Sequence, residues 1–172
     1  MIGRPGSDEY APWAAGYVSK VAGDDPLAVM IEQVERVPAL LRSISEERSL
    51  YRYAEGKWSI RESWAHVSDT ERIFTYRALR IGRGDQTPLP GFEQDDYVKP
   101  AMSDARSWAS HVEEWIAVRA ATLALFRGFP ADAWMRRGTA SGKPISMRAV
   151  AFITAGHVQH HVDLLRESYG IG

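Results

Sequence analysis

The chain has 172 residues, with 21 lysines and arginines against 22 aspartates and glutamates and a net charge of −1. This balance offers no basic surface for a phosphate backbone, so we expect no nucleic-acid partner. No segment has the roughly 20 consecutive apolar residues of a membrane span, and the first twenty residues lack a secretory signal, so we expect a cytoplasmic protein.

A first amphipathic helix is predicted to open at Asp25, which can cap it, with Pro26 in the first turn. Apolar side chains then recur at spacings of three and four residues, the period of a helix that buries one face. They are Leu27, Met30, Val34, Val37, Leu41 and Ile44.

The second helix is predicted to run from a capping box, formed by Ser59 and Glu62, to about Arg80. Its buried face would carry Ile60, Trp64, Val67, Phe74 and Ala78. Residues 81–100 are rich in glycine and proline, and we expect them to form a long connection without a regular element. Connections of this length often have a function.

A third helix is predicted from Ser103 to about Phe126, and a fourth from a cap at Ser146 to about Ser168. Residues 135–146, between them, favour a turn-rich connection or a short hairpin. Four amphipathic helices with one long connection predict an all-α four-helix bundle, with the long loop between helices two and three.

Two histidines, His157 and His161, are four residues apart on the fourth helix. At about 100° per residue they share a narrow sector with Val150, Ile153 and Leu164, so both imidazoles should point into the bundle. A buried imidazole needs partners, because an unpaired polar group costs on the order of 1–3 kcal/mol. Such a pair can bind one cation, although two hydrogen-bonded core histidines explain it equally well.

His66 is the candidate third ligand. It lies at the margin of the apolar stripe of the second helix, in line with Ile73. If the second and fourth helices are neighbours, His66 would reach the same point as His157 and His161. Three histidine ligands leave a coordination position open for water or substrate, as catalytic metal sites do.

Three nearby residues have weaker signals. Asp69, one turn beyond His66, could orient an imidazole or face solvent. His160 is about 100° from His161 around the helix, so we expect it beside the metal site or at an interface. His111 lies near two glutamates, and we interpret it as a partly exposed surface histidine.

Glu71 and Arg119 fall inside the apolar stripes of the second and third helices. Charges in such positions rarely stay buried unless they are paired, so we predict an ion pair between them. Gly156 precedes His157 and costs a helix about 1 kcal/mol relative to alanine. Close approach of another backbone or of a ligand would explain it, and a neutral accident of packing is the alternative.

Two segments of the chain resemble the DinB-like superfamily, which includes metal-dependent hydrolases of the YfiT type. They are GKWSIRESWAHVSDTERIFTYRALRIGRGDQTPLPGFEQDDYV and RGTASGKPISMRAVAFITAGHVQHHVDLL. The resemblance extends over residues 26–169 and is most specific in WS leading to His66, in LPGFEQDDY and in GHVQHH. Residues 1–23 would then be an N-terminal extension, and residues 24–172 the DinB-like bundle domain.

The resemblance implies a divalent metal held by three histidines, here His66, His157 and His161. Relatives use nickel, zinc, manganese or iron, and we expect nickel or zinc here, with manganese or iron as alternatives. Members of the superfamily often form homodimers, so we expect a homodimer. Some are thiol S-transferases that use bacillithiol or mycothiol, and one branch isomerises maleylpyruvate with mycothiol.

The chain contains no cysteine, which excludes disulfides, a protein thiolate and cysteine-ligated metals. The resemblance implies a metal-dependent S-transferase that joins a low-molecular-weight thiol to a small electrophile, and the absence of cysteine is compatible with this because the sulfur would come from the small molecule. Two alternatives stay open. One is a metal-dependent hydrolase of a small amide or ester, and the other is a stress-associated module whose metal joins two helices without turnover.

The long loop around Phe92 and the connection before the fourth helix are predicted to form the mouth of the pocket. Tyr97, Arg136 and Lys143 are the candidate substrate-binding residues. Thiol cofactors and many of their acceptors are acidic, so Arg136 and Lys143 could receive a carboxylate. A solvated basic loop is the alternative.

Overall fold

The computed structural model describes residues 2–172, which contain six α-helices, five short 3₁₀ helices and one β-hairpin. The α-helices are α1 (Ala15–Ser19), α2 (Pro26–Arg42), α3 (Ile60–Gly82), α4 (Gln94–Ala101), α5 (Trp108–Arg127) and α6 (Met147–Glu167). The strands are β1 (Arg137–Ala140) and β2 (Lys143–Ser146). The 3₁₀ helices span Ser7–Glu9, Pro12–Ala14, Arg48–Leu50, Ser103–Ala105 and Ala131–Met135.

Four long helices form the bundle. α3 packs against both α5 and α6, and α2 packs against the same two helices, which places α2 and α3 at opposite corners. The predicted all-α four-helix bundle is confirmed. Among residues 2–172, none of the helices combines the length and the apolar character that crossing a bilayer requires.

Side-chain caps determine where three of the bundle helices begin. Asp25 accepts a hydrogen bond from the backbone of α2 at 2.9 Å, and Ser59 and Glu62 form the predicted capping box of α3. Ser146 accepts from the first turn of α6 at 3.1 Å. These caps satisfy backbone N–H groups that have no partner within the helix, and the three predicted starts are confirmed.

The predicted start of the third bundle helix is wrong. α5 begins at Trp108, where Ser107 provides the cap, and not at Ser103. Ser103–Ala105 forms a separate 3₁₀ turn that ends in extended backbone at Arg106. Two serines four residues apart can each cap a helix, and local sequence does not choose between them.

The expectation of an irregular segment over residues 81–100 is wrong in its second half. Gln94–Ala101 forms α4, which packs against α3. Asp95 and Asp96 lie in its first turn, where carboxylates interact favourably with the positive end of the helix dipole. The irregular part before it is held to the hairpin by a bridge at Leu89.

The short hairpin predicted within residues 135–146 is confirmed. β1 and β2 pair antiparallel, and the register places Arg137 opposite Ser146 and Ala140 opposite Lys143. The turn between the strands consists of Ser141 and Gly142, and both have positive φ, 52° and 71°. Strand β1 of the hairpin contacts α3.

The predicted apolar stripe of α2 contains one error. Val34 is 39% exposed, and Gln33 takes the buried position instead, with no measurable exposure. The buried positions of α2 are spaced as a helix face requires, but one of them is polar because it belongs to a hydrogen-bonded network.

A layer of polar side chains divides the core into two apolar clusters. One cluster lies toward the hairpin and includes Phe74, Phe126, Phe152 and Ile153. The other lies toward the opposite end and includes Trp64, Trp115, Val158 and Val162. On α2, α3 and α5 the dividing residues are Gln33, Glu71 and Arg119, which we call the polar layer.

The predicted Glu71–Arg119 ion pair is confirmed. The Arg119 guanidinium donates from Nε to Glu71 Oε1 at 2.9 Å and from Nη2 to Oε2 at 2.8 Å. Its Nη1 donates to Gln33 Oε1 at 2.6 Å, and Gln33 Nε2 donates to the Ala155 carbonyl at 3.0 Å. The polar layer therefore connects all four bundle helices through hydrogen bonds.

The N-terminal residues pack along α6, chiefly through α1. Glu9 is 2% exposed, and Arg148 Nε donates to its Oε2 at 2.8 Å. The hydrogen bonds from Arg148 lower the pKa of Glu9 to about 2. The N-terminal residues therefore contact the bundle directly. The boundary at residue 23 between an extension and the bundle domain stays a prediction.

Replacing Glu71 by glutamine should destabilise the protein by about 3–5 kcal/mol, because Arg119 would be left buried without its counter-charge. Urea titration measures this. The control is Arg137→Gln, which breaks an exposed pair with Asp8 of 2.9 Å and should cost about 1 kcal/mol at most. Equal effects of the two substitutions would contradict the structural role of the buried pair.

Candidate metal centre

Three histidines converge between α3 and α6. His66 lies on α3, and His157 and His161 lie one turn apart on α6. One ring nitrogen of each lies within 4.8 Å of the other two. The ring centroids of His157 and His161 are 4.6 Å apart, and those of His66 are 5.1 and 5.2 Å from them. We call these three residues the histidine cluster.

The donor set fits a divalent metal ion. Each imidazole is at most 6% exposed, and His66 Nε2 is 3.2 Å from His157 Nε2. Two nitrogens that coordinate one ion tetrahedrally, each at about 2.05 Å, would be about 3.3 Å apart. Imidazole nitrogen suits zinc, nickel and iron alike, so the donors do not select one metal.

Hydroxyl groups contact two of the rings. Ser63 Oγ is 3.0 Å from His161 Nδ1, whereas Thr70 Oγ1 is 3.3 Å from Nδ1 and 3.5 Å from Nε2 of His66. With its Nδ1–H donating to Ser63, His161 keeps the lone pair of Nε2 for a cation. Sequence reasoning missed both hydroxyls. The signal was present for Thr70, which follows His66 by four residues and so shares its face of the helix.

The structure favours the alternative in which Asp69 faces solvent and does not orient an imidazole. Its carboxylate pairs with Arg72 at 3.2 Å and is 39% exposed. Asp69 is displaced about 60° from His66 around the helix in one direction, and Thr70 about 40° in the other. Thr70 is on the side of the His66 ring, whereas the carboxylate of Asp69 reaches Arg72.

Burial keeps the imidazoles neutral. Desolvation lowers the pKa of His66 to about 4, and it lowers the pKa values of His157 and His161 well below their usual range. The proximity of the rings adds to the effect, because a charge on one disfavours a charge on the next. Neutral imidazoles have free lone pairs, which is the state that coordinates a metal.

Aromatic rings surround the histidine cluster. Trp58 is 5.0 Å from His66 between ring centroids, and Phe74 is 5.9 Å from His157. Tyr17, from α1, meets His157 edge-on at 5.3 Å. The N-terminal segment thus forms one wall of the site, which the sequence analysis did not anticipate.

The expected close approach at Gly156 is confirmed. A Cβ atom placed there would lie 1.9 Å from the Tyr17 carbonyl oxygen, far inside contact distance. The absence of a side chain lets α1 lie directly on α6 beside His157. The backbone of Tyr17, and not a ligand, makes this approach.

The two remaining histidines lie outside the cluster. His160 is half-buried and packs its ring against Tyr17 at 5.5 Å and against His161 at 5.1 Å. The interpretation of His111 as a partly exposed surface residue is wrong. It is 1% exposed, because the turn before α5 covers it, and its Nε2 lies 3.0 Å from the Ser103 carbonyl oxygen.

A cavity of about 390 Å³ opens beside the histidine cluster, and His66 and His157 form part of its wall. The rest comes from the N-terminal segment, α3, the loop before α4, the first residues of α4 and the hairpin turn. Its lining residues include Trp13, Tyr17, Phe74, Arg77, Phe92 and Ser141. The prediction that the loop around Phe92 and the connection before α6 form the mouth agrees with this lining.

The three candidate substrate-binding residues do not line this cavity. Tyr97 is 48% exposed and packs on Phe92 with ring centroids 5.4 Å apart. Arg136 pairs with Asp132 at 2.6 Å, and Lys143 is exposed beside a smaller neighbouring cavity. The side chain of Arg77, which sequence reasoning did not single out, occupies the position expected for a cation in the pocket.

The fold and the site together define the class of this protein. It is a four-helix bundle with a buried cluster of three histidines that fits a divalent metal. The sequence profile of the DinB superfamily matches residues 31–165. The chain belongs to the DinB superfamily, as the resemblance in the sequence indicated.

Solved structures share the fold. One is YfiT from Bacillus subtilis, described as a probable metal-dependent hydrolase with an unusual four-helix bundle topology. It is 18% identical to this chain, with a TM-score of 0.70, and the match covers 92% of this chain and 93% of YfiT. A mycothiol-dependent maleylpyruvate isomerase is 17% identical with a TM-score of 0.66, covering 81% of this chain and 59% of its own. At these identities the likeness establishes the fold alone. No protein of curated function matches the sequence.

The metal-free protein should lose stability as the pH falls from about 6.5 to about 4. The pKa of a histidine in the unfolded chain is about 6.5, and burial lowers the pKa of His66 to about 4. In this window the unfolded chain binds a proton that folded His66 does not, so acid favours unfolding. His66 alone accounts for a loss on the order of 3 kcal/mol.

Urea titrations across this pH range, with the His66→Asn variant as control, measure the effect. The variant should show a weaker dependence on pH than the parent protein. The carboxylate of Glu9, whose pKa is lowered to about 2, loses its contribution between about pH 4.5 and pH 2, so it does not affect the range from pH 6.5 to pH 4.5. Stability that stays constant from pH 6.5 to pH 4.5 would contradict the burial of neutral imidazoles.

Replacing Gly156 by alanine should destabilise the protein by about 1–3 kcal/mol, because the new methyl group must displace the Tyr17 backbone. The gain in helix propensity of about 1 kcal/mol does not offset this. Gly16 is the matched control, since a Cβ atom there has no atom within 4 Å. Thermal unfolding should show a lower Tm for G156A and an unchanged or higher Tm for G16A, and a stabilised G156A would show that α1 does not lie on α6.

Proposed function

We propose that this protein is a metal-dependent S-transferase that joins a low-molecular-weight thiol to a small electrophile. The observation that carries the proposal is the position of the histidine cluster. Its three imidazoles would hold one divalent ion, and two of them, His66 and His157, line a cavity large enough for a small molecule. Three histidine ligands would leave the ion a position for water or substrate.

Nickel or zinc is the metal we propose, with manganese and iron as alternatives, since all of them accept imidazole nitrogen. When bound, such a metal lowers the pKa of a coordinated thiol and provides a thiolate at neutral pH. The chain has no cysteine, so the sulfur nucleophile must come from a small molecule.

The residues of the chain prepare the site for this chemistry. Ser63, next to Nδ1 of His161, would leave Nε2 of that ring free for the metal, and Thr70 contacts the ring of His66. Trp58, Phe74 and Tyr17 pack against the rings and limit their contact with water, which strengthens electrostatic interactions inside the site. The cavity beside the cluster would bring the electrophilic carbon of the second substrate next to the thiolate.

A second candidate function is hydrolysis of a small amide or ester. The same open metal position can activate water, and YfiT from Bacillus subtilis, which shares the fold, is described as a probable metal-dependent hydrolase. In a third, non-catalytic role, the metal would only join α3 and α6. That role requires closed coordination, which the cavity beside two of the histidines disfavours.

We further propose that the protein acts in the cytoplasm as a homodimer and does not contact nucleic acid. Ile31 and Val34 are 46% and 39% exposed one turn apart on α2, which supports an apolar contact between copies. The net charge of −1 supports the absence of a nucleic-acid partner.

Conjugation of monochlorobimane to a panel of low-molecular-weight thiols tests the transferase. We expect metal-loaded protein to accelerate conjugation of at least one thiol. His157→Ala and His161→Ala should bind no metal and lose more than about 100-fold of the rate, since even residues that only orient ligands are worth 10- to 100-fold. His160→Gln is the matched control and should keep both the metal and the rate.

Conjugation no faster than the uncatalysed background for every thiol would refute the transferase. Metal-dependent cleavage of ester or amide substrates would then establish the hydrolase. A protein that catalyses neither reaction and unfolds when its metal is chelated would match the structural role.

A further inference from the structure

Arg77 on α3 is a buried cation without an anionic partner. Its side chain is 4% exposed, yet it forms no ion pair with any carboxylate among residues 2–172. The other deeply buried arginines are paired, Arg119 with Glu71 at 2.8 Å and Arg61 with Glu46 at 2.6 Å. Because a buried guanidinium is costly without a counter-charge, the exception points to a ligand that provides one.

The neutral contacts of Arg77 fix its direction and use only part of its hydrogen-bonding capacity. Nη2 donates to the Pro90 carbonyl oxygen at 2.8 Å and to Ser141 Oγ at 3.0 Å. Nε and Nη1 donate to no acceptor within the described residues. A guanidinium has five N–H groups in a planar fork, and the free ones can bind a carboxylate in a bidentate way.

Ser141 holds this arrangement from an unusual backbone conformation. Its φ of 52° lies in the left-handed region, which glycine or asparagine adopts more easily than serine. The contact between its hydroxyl and Arg77 explains why a serine occupies this turn position. Strained residues of this kind are concentrated at functional sites.

Arg77 faces the same cavity as the histidine cluster. Its guanidinium carbon is 6.0 Å from the centroids of both Phe74 and Phe92, and Phe74 also contacts His157. Among the described residues that line the cavity, Arg77 is the only arginine or lysine. The carboxylates of Glu93 and Asp95 line the cavity as well, but they are exposed and more than 4 Å from the guanidinium.

We propose that Arg77 binds the carboxylate of the small molecule that acts at the histidine cluster, with Ser141 as a positioning residue. The ligand would be a planar or aromatic monocarboxylate, because Phe74 and Phe92 flank the guanidinium. The exposed acids at Glu93 and Asp95 would repel a second negative charge. The inference rests on the proposed function in one respect, that the ligand is a substrate of the reaction at the histidine cluster. Binding of its carboxylate to Arg77 does not require the metal.

Benzoate and benzamide are suitable probes, because they share shape and size and differ in charge. Calorimetric titration is carried out on the full chain, both as purified and after dialysis against a chelator. We expect wild-type protein to bind benzoate at least about tenfold more tightly than benzamide in both states. Arg77→Gln should abolish this preference.

Three further variants keep the test decisive if Arg77→Gln fails to fold. Arg77→Lys, which keeps the charge but not the fork, should retain part of the preference. Ser141→Gly, which removes the hydroxyl and suits the turn, should weaken benzoate binding with little effect on benzamide. Arg80→Gln, also on α3, breaks a partly exposed pair with Asp85 in the following loop and should change neither affinity.

Affinity for benzoate no greater than for benzamide in wild-type protein would overturn the proposal. So would an unchanged preference in both Arg77 variants. A failed conjugation assay together with intact benzoate selectivity would refute the transferase and leave the carboxylate site standing. Successful conjugation without any preference for benzoate would refute the carboxylate site and leave the transferase standing.

Discussion

Burying three neutral imidazoles between two helices is the constraint on which this structure depends. Desolvation lowers their pKa values and leaves lone pairs that only a hydrogen-bond donor or a cation can satisfy. The polar layer supports them. Gln33 donates to the carbonyl of Ala155, two residues before His157, and so ties α6 to the Glu71–Arg119 pair. The rotation of α6 that points the histidines inward is thereby linked to all four bundle helices.

The N-terminal segment and the hairpin complete the site around this core. α1 lies on α6 where Gly156 has no side chain, and Tyr17 covers one side of His157 and His160. The hairpin turn brings Ser141 to Arg77 on the opposite side of the cavity. Elements outside the four-helix bundle therefore shape the pocket, while the bundle itself positions the histidines.

Helical periodicity was sufficient to predict the parts of the site that lie on long helices. It placed His157 and His161 on one inward face, and it identified Glu71 and Arg119 as charges that need each other. The same periodicity also indicates two further residues of the site on α3. Thr70 and Arg77 follow His66 by four and eleven residues, about 40° and 20° around the helix, so both share its face.

Other features depend on tertiary contacts that no local pattern contains. α4 forms where residues rich in turn signals pack against α3, and His111 is buried because the turn at Ser103 folds over it. The role of Tyr17 follows from the path of the N-terminal segment across α6. Periodicity describes one helix at a time, and these features arise between elements.

X-ray absorption spectroscopy of the protein loaded with one equivalent of zinc or nickel tests the central claim most directly. The histidine cluster predicts three imidazole nitrogens at about 2.0–2.1 Å, together with at least one light-atom donor from solvent. A first coordination sphere with one imidazole or none would show that His66, His157 and His161 do not bind a common ion.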